Sequence, residues 1–295
     1  MLISSSILQG QLFKNELLAQ YTSWRVGGAA DYLYIPKNLE DLGVFLRESP
    51  ANMPVLWLGL GSNILVRDGG VDGIVVITQG ALQAIEQVEP TLIRAEAGVS
   101  CAQFARHVAR MGLTGVEFMA GIPGTVGGAL AMNAGCYGGE TWSYVHCVET
   151  MDRKGKIRVR PTADFEVAYR HVKREDTEWF VAGYFQLTPG DKTVSLAAIK
   201  SLLEKRNHSQ PTGLPNCGSV FRNPPGNHAA RLIEQSGLKK MAIGGAFVSD
   251  KHANFIINDG TATAADIERL IQEVGSIVEQ KHGVCLIPEV CIVGK

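Results

Sequence analysis

Apolar positions recur along the chain with two different periods, and the switches between them outline its elements. Thr263–Lys281 sets Ile267, Leu270, Ile271, Val274 and Val278 at helical spacing, with Thr263 and Asp266 as a capping box and Gly283 as the stop. Val99–Met111 gathers Phe104, Val108 and Met111 on one face and ends at Gly112. Asn38–Glu48, Ser195–His208 and His228–Ser236 predict further helices, and residues 1–20 a short helical lead-in. Continuous apolar runs predict strands at Tyr32–Pro36, Val55–Leu58, Ile64–Val66, Gly73–Thr78, Leu92–Ala97 and Trp179–Leu187. Toward the end of the chain Met241–Ser249, Ala253–Asn258 and Cys285–Val293 read the same way. Cys147–Met151 and Lys156–Val159 predict a hairpin with Lys154-Gly155 in its turn. The class is α+β, a mixed α/β chain without internal repeats.

Composition narrows the function classes. With 295 residues, 45% hydrophobic and 19% charged, the chain can bury a core and divide into two or three domains. Its 28 basic and 29 acidic residues leave a net charge of −1, which argues against nucleic-acid binding by bulk charge. No apolar run is long enough to span a bilayer, and the start lacks a basic n-region, so neither membrane association nor export is expected. The six cysteines at 101, 136, 147, 217, 285 and 291 form no Cys-x-x-Cys pair, so no metal site is expected. Scattered, reduced thiols point to the cytoplasm.

Two glycine segments carry the chemistry. Gly121–Gly139 has seven glycines in nineteen residues and almost no charge, unlike a solvated linker. Spaced glycines let main-chain amides approach a pyrophosphate, although tight turns would use them too. Gly59-Leu-Gly-Ser-Asn63, between two strands, is a second candidate cradle. It is no Rossmann fingerprint, because Ile64 stands where the third glycine would be, and no Walker lysine follows either segment. There is no G-x-S-x-G elbow and no H-E-x-x-H. His107 reads as a surface residue and His252 as a structural donor. Ser219 could be a turn serine, Glu289 an exposed strand residue and Arg170 half of a surface ion pair; all three could also line a site.

In order and spacing, these segments resemble the UDP-N-acetylenolpyruvoylglucosamine reductase (MurB) family over nearly the whole chain. The markers are Thr22-Ser-Trp-Arg-Val-Gly-Gly, Gly59-Leu-Gly-Ser-Asn-Ile-Leu, Gly121-Ile-Pro-Gly-Thr-Val-Gly-Gly, Asn133-Ala-Gly, Tyr169-Arg170, Cys217-Gly-Ser-Val-Phe-Arg-Asn-Pro and Pro288-Glu-Val. The resemblance is to the shorter subtype, which lacks an inserted tyrosine loop. It implies a two-subdomain FAD-binding fold of the vanillyl-alcohol-oxidase type, over 1–82 and 83–190, and a substrate-binding domain over 205–295. It implies non-covalent FAD held by Gly59, Gly61, Ser62, Asn63, Ile64 and Leu65, and by Gly121, Ile122, Pro123, Gly124, Thr125, Gly128, Asn133 and Gly135. NADPH would supply the hydride, which reaches the vinyl C3 of a UDP-sugar enolpyruvyl ether by way of flavin N5. By the same resemblance Ser219 protonates C2, Arg170 and Glu289 polarise the carboxylate, and Arg222 and Asn223 hold substrate. The expected partner is the nucleotide sugar alone, bound by a cytoplasmic monomer.

Three positions depart from the family pattern. Ser209 stands where many relatives carry lysine, leaving Lys205 or Arg206 as the substitute cation, and Tyr21 and Cys136 replace Asn and Ala. Two other readings compete: a different flavin oxidoreductase on the same fold, and a non-catalytic nucleotide-sugar or flavin binder.

Overall fold

Gln11–Leu17 is a strand, β1, where the lead-in predicted a helix. Pairing into a sheet overrides local propensity there. The computed structural model describes residues 8–173 and 177–295, so the first seven residues of that lead-in lie outside it. The chain continues through β2 (Ala29–Ile35), α1 (Leu39–Glu48), β3 (Val55–Leu58), β4 (Ile64–Val66), β5 (Val71–Ile77), β6 (Ile85–Glu89) and β7 (Leu92–Glu96). The helices α2 (Cys101–Arg110), α3 (Val126–Met132), α4 (Lys192–Ser209), α5 (Ala229–Gln235) and α6 (Ala264–His282) follow. The elements group into two compact units.

The first unit comprises residues up to Lys14, Tyr32–Leu60 and Gly73–Lys205. A four-stranded sheet has the order β1-β2-β5-β3, with β3 and β5 parallel. A five-stranded antiparallel sheet runs Ile157–Pro161, Val145–Asp152, Glu178–Gln186, β7, β6. Both of its faces are covered. Val148, Phe180 and Phe185 pack with Phe104 and Val108 of α2 and Leu130 of α3. Met151, Trp179 and Val181 pack with Phe45 of α1 and Ile74 and Val76 of β5. Successive residues point to opposite faces, and double burial makes Glu178–Gln186 apolar almost throughout, which is why its strand was legible.

The second unit comprises Asn15–Asp31, Gly61–Asp72 and Arg206–Lys295. Helix α6 is its spine: Ile267, Leu270, Ile271, Val274 and Val278 are buried with Trp24, Leu65, Val220, Leu232 and Ile233. The capping box of Thr263 and Asp266 forms, and Gly283 ends the helix in the left-handed region. Asp68 adds a second cap by accepting from the Ala264 and Ala265 amides at 2.9 Å each. The neighbouring Arg67 forks onto Glu268. Three predicted strands are shorter than their apolar runs, Ala253–Asn258 being a strand only over Ile256–Asn258. Met241–Ser249 is a hairpin of Ala242–Ile243 and Ala246–Val248, turning at Gly244. Of Cys285–Val293 only Cys291–Val293 is a strand, parallel to β4.

Candidate active site

In the second unit, the segment around Ser219 is held on both sides. Cys217 buries its thiol against the carbonyls of Ile64 and Gly61, at 3.6 and 4.0 Å. Burial pushes that thiol well above its usual range, so it remains protonated. Gly218 turns the chain, and half-buried Ser219 follows. Asn254, itself buried, then grips the next residues. Its main-chain carbonyl accepts from the Val220 amide at 2.9 Å, and its side chain both accepts from and donates to Phe221. On the other side, Phe221 bridges to Pro288, the Arg222 amide donates to Ile287, and the Glu289 amide donates to the Val220 carbonyl at 2.7 Å. Folding therefore brings the main chains at Ser219 and Glu289, 70 residues apart, onto adjacent segments.

Glu289 is gripped from a third direction. Its carbonyl accepts from the Asn63 side-chain amide at 3.1 Å, and the Asn63 carbonyl accepts from the Cys291 amide at 3.0 Å. The sequence placed Asn63 in the cofactor loop, but nothing local could show that its side chain reaches Glu289. Arg222, half-buried, has a buried Nε with no protein partner among the described residues. Such an atom calls for an acceptor from a ligand or water. Asn223 is exposed and uses its side-chain oxygen to accept from the Ala229 amide at the start of α5. His252, which read as a structural donor, proves structural as an acceptor: its Nδ1 accepts from the Asn254 amide at 3.3 Å. Burial lowers its pKa and favours the neutral ring.

The first unit holds the long glycine segment and Arg170. The sequence read Gly121–Gly139 as a candidate pyrophosphate cradle and did not predict the helix it contains, α3, whose side-chain cap is Thr125. Most of its amides already have protein acceptors: Ile122 donates to Met119, Gly124 to Ile122, Val126 to Val99, Gly127 to Ala97 and Gly128 to Thr125 Oγ1. Pro123 has no amide to offer. Gly59, at the end of β3, lies so close to Thr125 that a Cβ there would strike its Oγ1. Buried Asn133 caps α3 in the left-handed region, and its side chain is bonded to Glu140, Ala168 and Trp142. Arg170 and Tyr169 form the turn between the short strands Glu166–Ala168 and His171–Lys173. Arg170 takes φ +54, a conformation costly for a side chain of this size. Its guanidinium donates to the carbonyls of Gly135 at 2.6 Å and Asn133 at 3.5 Å and lies 5.0 Å over the Tyr169 ring. Asn133 and Gly135 thus anchor Arg170.

The segment Gly61–Leu65 suits a diphosphate group differently. Gly61 takes φ +65 with the Tyr21 carbonyl against its Cα, which leaves no room for a side chain. The amides of Gly61 and Ser62 find no protein acceptor among the described residues, while Ile64 and Leu65 bury themselves in β4. Consecutive open amides beside a hydroxyl are a donor set suited to a diphosphate. These residues fit the phosphate portion of FAD.

Comparison with known proteins agrees with this geometry. Residues 30–160 match the FAD binding domain family, and residues 210–293 match the C-terminal domain of UDP-N-acetylenolpyruvoylglucosamine reductase. The chain is 57% identical to the reductase of that name from Alkalilimnicola ehrlichii, over 98% of this chain and 97% of that one. It is 58% identical to the one from Legionella pneumophila, over 97% and 93%. Among solved structures, the crystal structure of UDP-N-acetylenolpyruvylglucosamine reductase (MurB) from Thermus caldophilus superposes with a TM-score of 0.82 at 31% identity, over 97% of this chain and all of that one.

Proposed function

The chain belongs to the UDP-N-acetylenolpyruvoylglucosamine reductase family, and from that premise we propose how its own residues carry the reaction. It is an FAD-dependent oxidoreductase that uses NADPH to reduce the enolpyruvyl group of UDP-N-acetylglucosamine-enolpyruvate to UDP-N-acetylmuramate, in peptidoglycan synthesis. Bound FAD supplies a two-electron carrier between the nicotinamide and the vinyl carbon.

Ser219 is the proton donor to C2, and Arg170 and Glu289 stabilise the charge that develops on the substrate carboxylate. A serine hydroxyl is a weak acid, so it needs donors already aimed at the growing negative charge. A guanidinium fixed by main-chain carbonyls, as Arg170 is by Gly135, is pre-organised for a carboxylate. Arg222 holds substrate through a guanidinium whose Nε has no protein partner. Gly61 and Ser62 hold the FAD phosphates. The observation that carries the assignment is the hydrogen bond of the Glu289 amide to Val220, which fixes the backbone of Glu289 beside that of Ser219. We take the protein to be a monomer, and the buried thiols of Cys101 and Cys217 fit the reducing cytoplasm.

Anaerobic stopped-flow of the flavin absorbance tests this reading. NADPH is expected to bleach the yellow protein and the enolpyruvyl UDP-sugar to restore its colour. Bleaching without recolouring would assign the chain a different acceptor.

A further inference from the structure

We propose that Asn63 is a positioning residue that ties the phosphate-holding segment to Glu289. The inference rests on the reading above, and its argument lies wholly within the second unit. Glu289 has its amide bonded to Val220, immediately after Ser219, and its carbonyl bonded to the Asn63 side chain, immediately after Ser62. The same asparagine receives the Cys291 amide on its own carbonyl. The main chain of Glu289 is therefore suspended between the serine segment and the Gly61–Asn63 segment. The Cys217 thiol closes the loop by reaching from the serine segment back to the Gly61 and Ile64 carbonyls.

This arrangement has a physical consequence. The open amides of Gly61 and Ser62 become ordered when an anion occupies them. Asn63 follows them directly, and its amide transmits that order to Glu289. Asn carries a neutral donor at this reach; Asp would present an acceptor to the Glu289 carbonyl, and Ala would present nothing. Asn63 does not need to touch substrate. Its effect is on where Glu289 stands, and an error of about 1 Å at such a group costs on the order of 100-fold in rate.

Two measurements on the full-length holoprotein test the inference. In hydrogen exchange, FAD is expected to slow exchange of the peptide covering 286–293 in the parent protein. In Asn63→Ala and in the same-sized Asn63→Asp, that slowing disappears although FAD remains bound. This readout stands whether or not the sugar is the substrate. In stopped-flow on FAD-saturated protein, sugar-dependent recolouring is expected to slow roughly 10- to 100-fold more than bleaching by NADPH does. Glu289→Gln combined with Asn63→Ala should then be little slower than Glu289→Gln alone, because both act through one group. Undiminished FAD-dependent protection of 286–293 in the variants would overturn the inference, as would fully additive losses in the double variant. A parent protein that bleaches but never recolours would instead overturn the proposed acceptor.

Discussion

The two glycine segments look alike in sequence but differ in how many of their amides the fold has already paired. In Gly121–Gly139 helix α3 forms, Gly127 packs against Ala97, and the amides at 122, 124, 126, 127 and 128 find protein acceptors. In Gly59–Asn63 the backbone is held from behind by β4 and Glu289, and the amides of Gly61 and Ser62 remain open among the described residues. A glycine-rich stretch therefore cannot be equated with an anion cradle. What distinguishes them is whether the donors already have partners.

The largest effect is expected from Ser219→Ala, beyond both segments, which should leave the fold and NADPH bleaching intact and cut sugar-dependent turnover roughly 10²- to 10⁴-fold, the usual worth of a positioned proton donor. Unchanged turnover would remove the proton-donor role. Next comes Gly127→Val. A Cβ at Gly127 would sit 2.7 Å from the Ala97 Cβ, so overpacking should cost about 1–3 kcal/mol in thermal or denaturant unfolding. FAD affinity of the molecules that remain folded should hardly change. Ser62→Ala should show the reverse, with unfolding unaltered and FAD weakened by about 1 kcal/mol, several-fold in a fluorescence titration. If Gly127→Val released FAD and Ser62→Ala unfolded the protein, the two segments would have exchanged roles.

The smallest effects are in the pH dependence of stability. Glu117 opens the turn leading into the long glycine segment. Its burial would raise its pKa, but hydrogen bonds from Ser195, Thr114 and the Gly115 amide hold it below the ordinary 4.5. A depressed carboxylate stabilises the fold above its ordinary value, and that stability is lost as pH falls below about 4.5. His252, behind the Ser219 segment, is depressed by burial from an ordinary 6.5. The unfolded chain takes up that proton first, so its contribution is complete above pH 6.5 and declines as pH falls below it. Melting curves from pH 8 to 4 should thus show a shallow first decline that His252→Asn removes, then a steeper acid limb that Glu117→Gln reduces.

Much of the scaffold was legible because it is local or uniformly buried. Helix α6 carries its stripe, capping box and stop within twenty-one residues, from Thr263 to Gly283, and formed as read. Glu178–Gln186 was legible because both of its faces are covered. The lead-in misled because β1 owes its conformation to a partner strand, and α3 was missed because glycine is a poor helix former whose cost tertiary packing repays. The family and its reaction could be inferred from ordered motifs, each weak alone, and the comparisons bear them out.

Residue order along the chain was enough to identify helices with their caps, buried strands, the flavin chemistry and the set of candidate residues. It could not say which polar groups already have partners, because a hydrogen bond between Asn63 and Glu289 joins positions 226 residues apart. Nor could it distinguish Arg170 as a surface charge from Arg170 anchored on Gly135 in a left-handed turn. Those distinctions arise when the chain closes on itself, since a donor's availability depends on everything folded around it and not on its neighbours in sequence.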